Sequence, residues 1–405
     1  MKKFLSFLLV WCLLSVFPVT AETAVTVSSE YKITAEDEAP LDTAATNAAI
    51  GQTLDIKAKS AVLMEPVTGK VLYEANADQP LPPASITKVM SLLLIMEAID
   101  RGDIDLETVV TASEHACSMG GSQIWLEPGE TMTVDELLKA TVIASANDAC
   151  VALGELIAGS EEGFVAQMNA RAQELGMTNT HFENCTGLDA DGHVTTAYDV
   201  AVMSSALIQH DLIKNYSTVW MDTLRDGKSE LVNTNKLVRF YEGATGLKTG
   251  TTSVAKYCLS ATAERNGLQL VAVILAGDTS NDRFNGAKKL LDYGFANYSF
   301  SAIEAELPED LTVTVEKGVN KNISVQAEGT LEVLLPKSDA NNIVRTVKMD
   351  ETVAAPVSRG DRVGEVALYN GDELLGVIPI VSAEDSERLS LGYTICRILK
   401  GFLQL

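Results

Sequence analysis

Residues 89–99 read Val-Met-Ser-Leu-Leu-Leu-Ile-Met-Glu-Ala-Ile and are apolar on nearly every side of a helical wheel. Such a helix has no face to give to solvent, so it must run through the middle of a domain and be covered by other elements. It is entered through Pro82-Pro83-Ala84-Ser85-Ile86-Thr87-Lys88. Proline suits a helix entrance because its φ is fixed and its missing N–H is not needed there. Three residues rise about 4.5 Å along a helix and put Ser85 and Lys88 on one face. At the N-terminal end of a buried helix, unpaired N–H groups favour negative charge, and an amine beside a hydroxyl can take its proton. The same spacing also describes a surface pair, and Ser-x-x-Lys recurs at Ser29…Lys32 and Ser253…Lys256. The apolar run that follows is what distinguishes Ser85.

The rest of the chain of 405 residues supplies elements to cover that helix. Residues 1–21 pair Lys2 and Lys3 with an apolar run and a Val19-Thr20-Ala21 cleavage site, the pattern of a signal peptide. Residues 22–50, rich in Ala, Thr, Glu and Asp, read as a flexible linker, where nothing can desolvate Ser29…Lys32. In residues 51–298 the first signal is a hairpin, with strands "SAVLMEP" and "KVLYEAN" separated by Thr68-Gly69. Thr133 to Glu136 form a capping box before "LLKATVIA"; that helix stops at Ser145-Ala146-Asn147-Asp148, and a second runs to Gly159. "LKTGTTSVAKYCLSATA" and "LQLVAVILAG" are strand-like and joined by Asn266-Gly267. This is an α+β layout: an antiparallel sheet with helices packed on it and a helical middle. Residues 299–384 alternate in short stretches broken by Gly, Pro and Asn-Gly, as in a small all-β domain. In 385–405, Leu391, Ile395, Ile398, Leu399 and Phe402 share one helical face, which describes an amphipathic helix able to lie on a membrane surface.

Charge and cysteine usage exclude several classes. The net charge of −24 becomes −26 without residues 1–21, and such a surface repels nucleic acid. Five cysteines outside the signal, widely spaced and without CxxC, form neither a disulfide framework nor a zinc pattern and read as buried small hydrophobes. His115 and Cys117 have no second ligand pair nearby, so no metal and no cofactor is expected.

Ser85…Lys88, Ser145-Ala146-Asn147 and Lys248-Thr249-Gly250 follow one another on a helix start, an interhelical break and a strand. The ordered set resembles the SxxK, SxN and KTG elements of the penicillin-recognising serine enzymes. Within these the chain resembles the low-molecular-mass D-alanyl-D-alanine carboxypeptidases, also through "SANDACVALGELIAGS", "NTHFENCTGLDADGH", the β domain and the terminal helix. The resemblance implies a β-lactamase/transpeptidase-like catalytic domain over 51–298. It implies removal of the terminal D-Ala from peptidoglycan stem peptides through an acyl-Ser85, at the outer face of the cytoplasmic membrane, with β-lactams as covalent inhibitors.

The chemistry fits the residue types. A serine hydroxyl needs a base, and no GxSxG elbow or paired histidine offers one. Lys88 can act only when neutral. At a pKa near 10.4 about one molecule in a few thousand is neutral at pH 7, so burial beside Lys248 would have to depress that value. Ser145 offers a hydroxyl to relay a proton to the leaving amine, and Asn147 an amide for the substrate backbone; both types also suit helix capping. Lys248 and Thr249 offer a cation and a hydroxyl to a terminal carboxylate. Gly250 is either an ordinary strand glycine or a position where a missing side chain lets a peptide lie against the strand. The family pattern implies an oxyanion hole from the backbone N–H groups of Ser85 and Thr251. The chain departs from that pattern at Thr195 to Asp199, where Tyr198 replaces a usual arginine and puts local substrate contacts in question. A transpeptidase or endopeptidase shares the acyl-enzyme. A class A β-lactamase needs a deacylating glutamate in an E-x-x-L-N loop, and this chain has no Leu-Asn pair. A peptidoglycan-binding scaffold would not need every reactive residue.

Overall fold

The computed structural model describes residues 32–33, 53–339 and 342–403. The expected signal peptide, and the linker apart from Lys32–Ile33, lie outside the described residues. The chain forms two compact units. Of the described residues, one takes 53–302 with 332–339; the other takes 303–331 and 342–403 with Lys32–Ile33.

In the first unit, strands β1 (Ser60–Met64), β2 (Val71–Ala75), β3 (Ala244–Thr252), β4 (Lys256–Arg265) and β5 (Leu268–Gly277) form one sheet in the order β2-β1-β5-β4-β3. Every pairing is antiparallel. Asn266 and Gly267 both have positive φ, 51° and 78°, so their backbone twist matches that of the strands they join. The run "LKTGTTSVAKYCLSATA", expected as one strand-like stretch, is two strands. It turns at Ser253–Ala255, and Lys256 enters β4 with φ at 59°.

The strands alternate between two apolar layers. Val62, Met64, Val271, Val273 and Leu275 face one side, together with helices α1 (Lys88–Asp100), α2 (Val134–Ile143), α3 (Asn147–Ala158), α4 (Glu161–Glu174) and α5 (Ala197–Leu207). Ala61, Leu63, Leu270, Ala272 and Ile274 face the other, against Phe284, Ala287, Leu290 and Leu291 of α6 (Ser280–Asn297). A sheet covered on both faces needs no polar alternation, which is why "LQLVAVILAG" reads as continuously apolar. Helix α1 packs on α3 and α5 and is buried from Lys88 through Met96, as its all-round apolar sequence requires. Thr133 and Glu136 close the capping box at the start of α2, and Gly159, with φ at 80°, ends α3.

In the second unit, β6 (Thr312–Glu316), β7 (Asn322–Ala327), β8 (Ile343–Met349), β9 (Thr352–Ala354), β10 (Arg362–Asn370) and β11 (Glu373–Ser382) form a sheet. Its order is β8-β10-β11-β7-β6-β9, with Lys32–Ile33 pairing on the outer edge of β8. The all-β reading of this region holds. The tail is a helix, α7 (Leu391–Leu403), on which Leu391, Ile395, Ile398, Leu399 and Phe402 are all exposed. Among the described residues no helix is long and apolar enough to cross a membrane.

Candidate active site

Ser85 lies on a 3-10 turn, Ala84–Thr87, and α1 proper begins at Lys88. The turn is gripped from two sides by positions that must lack a side chain. A Cβ on Gly187 would lie 1.9 Å from the Ala84 carbonyl oxygen, and one on Gly250 would lie 2.9 Å from Pro83 O and 3.0 Å from Ala84 Cβ. Gly250 therefore makes room first for the turn that carries Ser85. A cavity of about 260 Å³ opens beside it, lined by Pro83, Ala84, Gly187, Asp189 and His193 among others.

Lys88 is fully buried one turn beyond Ser85, and its Nζ has three oxygen neighbours. Asn147 Oδ1 at 2.5 Å and Thr186 O at 2.8 Å are amide oxygens and must accept N–H from the amine. The third and longest contact, 3.3 Å to Ser85 Oγ, has no such obligation. An ammonium donates there; a neutral amine turns its lone pair there and can accept the serine proton. Burial holds Lys88 below the usual ammonium range. The repulsion expected between the two amines lowers Lys248 as well.

Ser145 lies in the break between α2 and α3 and Asn147 is the first residue of α3, and neither side chain caps a helix. The N-cap of α3 is Ala146, without a side-chain bond. Ser145 has φ at 62° and its Oγ accepts from Lys248 Nζ at 2.8 Å. Asn147 turns Oδ1 to Lys88 and donates Nδ2–H to Gly120 O at 2.6 Å. The loop that receives this bond is tied from below by Asp148. Its buried carboxylate accepts the N–H groups of Ile124 and Leu126 at 3.0–3.2 Å, which leaves Trp125 between them in solvent.

Strand β3 is the sheet edge beside the Ser85 turn. Lys248 is buried there and donates to Ser145 Oγ and to Thr249 O at 3.1 Å. Burial, then the positive charges of Lys88 and Arg283, hold it well below the usual ammonium range. Thr249 Oγ1 donates to Thr234 Oγ1 at 2.7 Å. Thr251 is exposed, and its hydroxyl accepts from Arg283 Nη1 at 2.9 Å. Arg283 also donates to Gly250 O at 3.0 Å. Lys248 and Arg283 thus bring two basic side chains to one strand edge in a chain of net charge −24, an arrangement that favours an anion such as a carboxylate.

All eight residues singled out from the sequence lie on this turn, this break and this strand edge. The Ser253…Lys256 occurrence does not join them. Ser253 is exposed and Lys256 pairs with Asp278 at 2.8 Å; Ser29 lies outside the described residues. Sequence reasoning missed Arg283, Asp148, Thr186, Gly187 and Thr234. Only Asp148, next to Asn147, carried a local hint, as an acid in the first turn of α3. Tyr198 is half exposed at the start of α5, where its N–H donates to Ala77 O at 3.1 Å.

The sequence pattern described as D-alanyl-D-alanine carboxypeptidase matches residues 43–279, more than half of the chain. The chain belongs to the D-alanyl-D-alanine carboxypeptidase family. A second pattern, penicillin-binding protein 5 C-terminal domain, matches residues 301–388 of this family member. It is 44% identical over 336 residues to D-alanyl-D-alanine carboxypeptidase DacF of Bacillus subtilis, covering 82% of this chain and 86% of the relative. Penicillin-binding protein 6B from Escherichia coli superposes with a TM-score of 0.68 at 32% identity, over 82% of this chain and 96% of that one. Penicillin-binding protein D2 from Listeria monocytogenes, solved in its ampicillin-bound form, superposes with a TM-score of 0.55 at 33% identity over 60% of this chain and all of that one. The family makes this chain a serine hydrolase with a carboxypeptidase fold followed by an all-β domain.

Proposed function

We propose that this family member removes the terminal D-alanine from peptidoglycan stem peptides ending in D-Ala-D-Ala, by way of an acyl-Ser85 intermediate. The contact that carries the reading is Lys88 Nζ, buried, its amide partners satisfied, 3.3 Å from Ser85 Oγ. Lys88 takes the serine proton as Oγ attacks the carbonyl of the penultimate D-Ala. The developing oxyanion is received by the N–H groups of Ser85 and Thr251. Ser145, bonded to Lys248, returns a proton to the departing amine, and Asn147 holds the substrate backbone. Lys248, Thr249 and Arg283 receive the terminal carboxylate, and a peptide extended along β3 is read as an added strand. Water then cleaves the ester and frees Ser85. A β-lactam, with its own carboxylate and strained amide, enters the same sequence and acylates Ser85.

The experiment is direct. Purified protein of residues 22–405 is mixed with a D-Ala-D-Ala-terminated peptide, and free D-alanine is assayed; a second aliquot receives labelled penicillin. Release of D-alanine together with label on Ser85, both lost in Ser85→Ala, is the expected result. Label on another serine would overturn the site, and product joined to an added amine in place of D-alanine release would mark a transpeptidase.

The protein works outside the cytoplasm, where that substrate lies, and we propose that α7 lies along the outer face of the cytoplasmic membrane as its tether. The support is the exposed apolar face Leu391–Ile395–Ile398–Leu399–Phe402, flanked by Arg388, Arg397 and Lys400, which can meet lipid phosphates. Deleting residues 387–405 should move the mature protein from the membrane pellet to the soluble fraction with peptide hydrolysis unchanged. A truncated protein that still pellets would refute the tether.

A further inference from the structure

Behind the Ser85 turn runs a chain of hydrogen bonds that the mechanism above does not use. The Glu183 backbone N–H, which can only donate, lies 3.0 Å from His193 Nδ1. Nδ1 must therefore present its lone pair, and a neutral ring then carries its proton on Nε2. Nε2 lies 2.7 Å from Thr87 Oγ1 and donates to it. The Thr87 hydroxyl, having accepted, sends its own proton to the Ala84 carbonyl at 2.9 Å. Every member runs in one direction: Glu183 N–H to His193, His193 to Thr87, Thr87 to Ala84 O. The ring is buried, and Phe182 packs edge-on against it at 5.9 Å.

The end of this chain matters because of peptide planarity. The Ala84 C=O and the Ser85 N–H belong to one peptide unit and point in opposite directions. Whatever fixes the carbonyl fixes the N–H. Ala84 needs fixing, since its φ is 50° and an alanine holds a left-handed conformation only where its surroundings impose it. Gly187 confines the same oxygen from the other side. We propose that His193 is a positioning residue for the oxyanion hole: acting through Thr87, it sets the direction of the Ser85 N–H without touching substrate. This rests on the reading of Ser85 as nucleophile.

The chain also has a pH at which it must break. Protonation at Nδ1 would set two donors against each other at the Glu183 N–H. Burial and the nearby His181 oppose that protonation while Asp189 favours it, and the ring titrates at about 4. The Glu183 carboxylate is engaged by His181 at 3.1 Å. At neutral pH the relay is intact.

The test compares His193→Ala and His193→Gln with the parent in penicillin acylation rate, peptide kcat and KM, and affinity for a peptide boronic acid, whose tetrahedral adduct needs the oxyanion hole. Folding is checked by thermal melting. His193→Ala should lose at least about tenfold in acylation, kcat and boronate affinity, a difference of about 1.4 kcal/mol, with KM within about twofold. His193→Gln keeps an N–H for Thr87 and should recover to within about threefold, without the acid limb near pH 4 in acylation rate. Should His193→Ala not fold, Thr87→Val against Thr87→Ser decides, with loss expected only in the former. Folded His193→Ala, or Thr87→Val, reacting at the parent rate with only a lower melting temperature would overturn the proposal. Parent protein labelled on a serine other than Ser85 would instead sink the reading beneath it.

Discussion

Gly250→Ala separates two reasons for a glycine in the strand that follows Lys248. The added Cβ would sit 2.9 Å from Pro83 O, 3.0 Å from Ala84 Cβ and 3.1 Å from Ile86 N. These are tighter than ordinary contact by a few tenths of an ångström, and two of the three partners are backbone atoms that cannot swing aside. Overpacking of this kind costs about 1–3 kcal/mol, which for a unit of this size lowers Tm by roughly 2–10 °C. The displaced atoms flank Ser85, so the turn shifts against the strand that carries the Thr251 N–H. Misplacement by 1 Å can lower a rate about a hundredfold, so a few tenths should lower acylation by roughly tenfold. The assay is the rate of labelling by a fluorescent penicillin beside D-alanine release from a peptide. Because the damage is to the turn, both should fall by a similar factor. If small β-lactams acylate Gly250→Ala at the parent rate while peptide turnover collapses, the glycine serves the substrate alone and the steric reasoning is wrong.

Lys88→Arg keeps charge but cannot offer a lone pair at any working pH, so penicillin labelling should fall by at least about a thousandfold; labelling near the parent rate would make Lys88 structural. Lys248→Gln removes a charge-assisted bond of roughly 1.5–3 kcal/mol and should slow hydrolysis of a free-carboxylate peptide by about 10- to 150-fold, with much less effect on an amide-capped ester analogue; equal losses on both would put Lys248 to work on the catalytic groups instead. His193 predicts a stability slope. Its folded-state value of about 4 lies below the ordinary 6.5, so the unfolded chain binds the proton first. The contribution is complete above pH 6.5 and is lost as pH falls toward 4, amounting to about 3 kcal/mol at most. Urea melts should show this slope in the parent and not in His193→Gln.

Much of the scaffold was legible because its causes are local. The type I′ pair Asn266-Gly267, the Thr133/Glu136 box and the Gly159 stop each act within a few residues, through φ preferences or a side chain reaching its own helix end. The all-round apolar run after Lys88 demanded a central helix, and the three motifs, by order and setting, named the eight residues now found around one turn and one strand edge. The break in "LKTGTTSVAKYC" was missed because Ser253–Ala255 offers neither glycine nor proline to mark a turn.

What the sequence by itself determined was therefore which elements form and which side chains carry chemistry. The tertiary structure alone decided what that chemistry is. Lys88 meets Asn147 across 59 positions and the Thr186 carbonyl across 98, and Lys248 meets Ser145 across 103. Arg283, on a helix with no motif, reaches the sheet edge only because α6 packs on that face. Gly187 and Gly250 are glycines for the sake of a turn distant in the chain, and His193 acts on that turn from behind. None of this is written in spacing. An amine becomes a base when water is excluded from around it and its other hydrogen bonds are already taken, and both conditions are set by packing between segments remote in sequence.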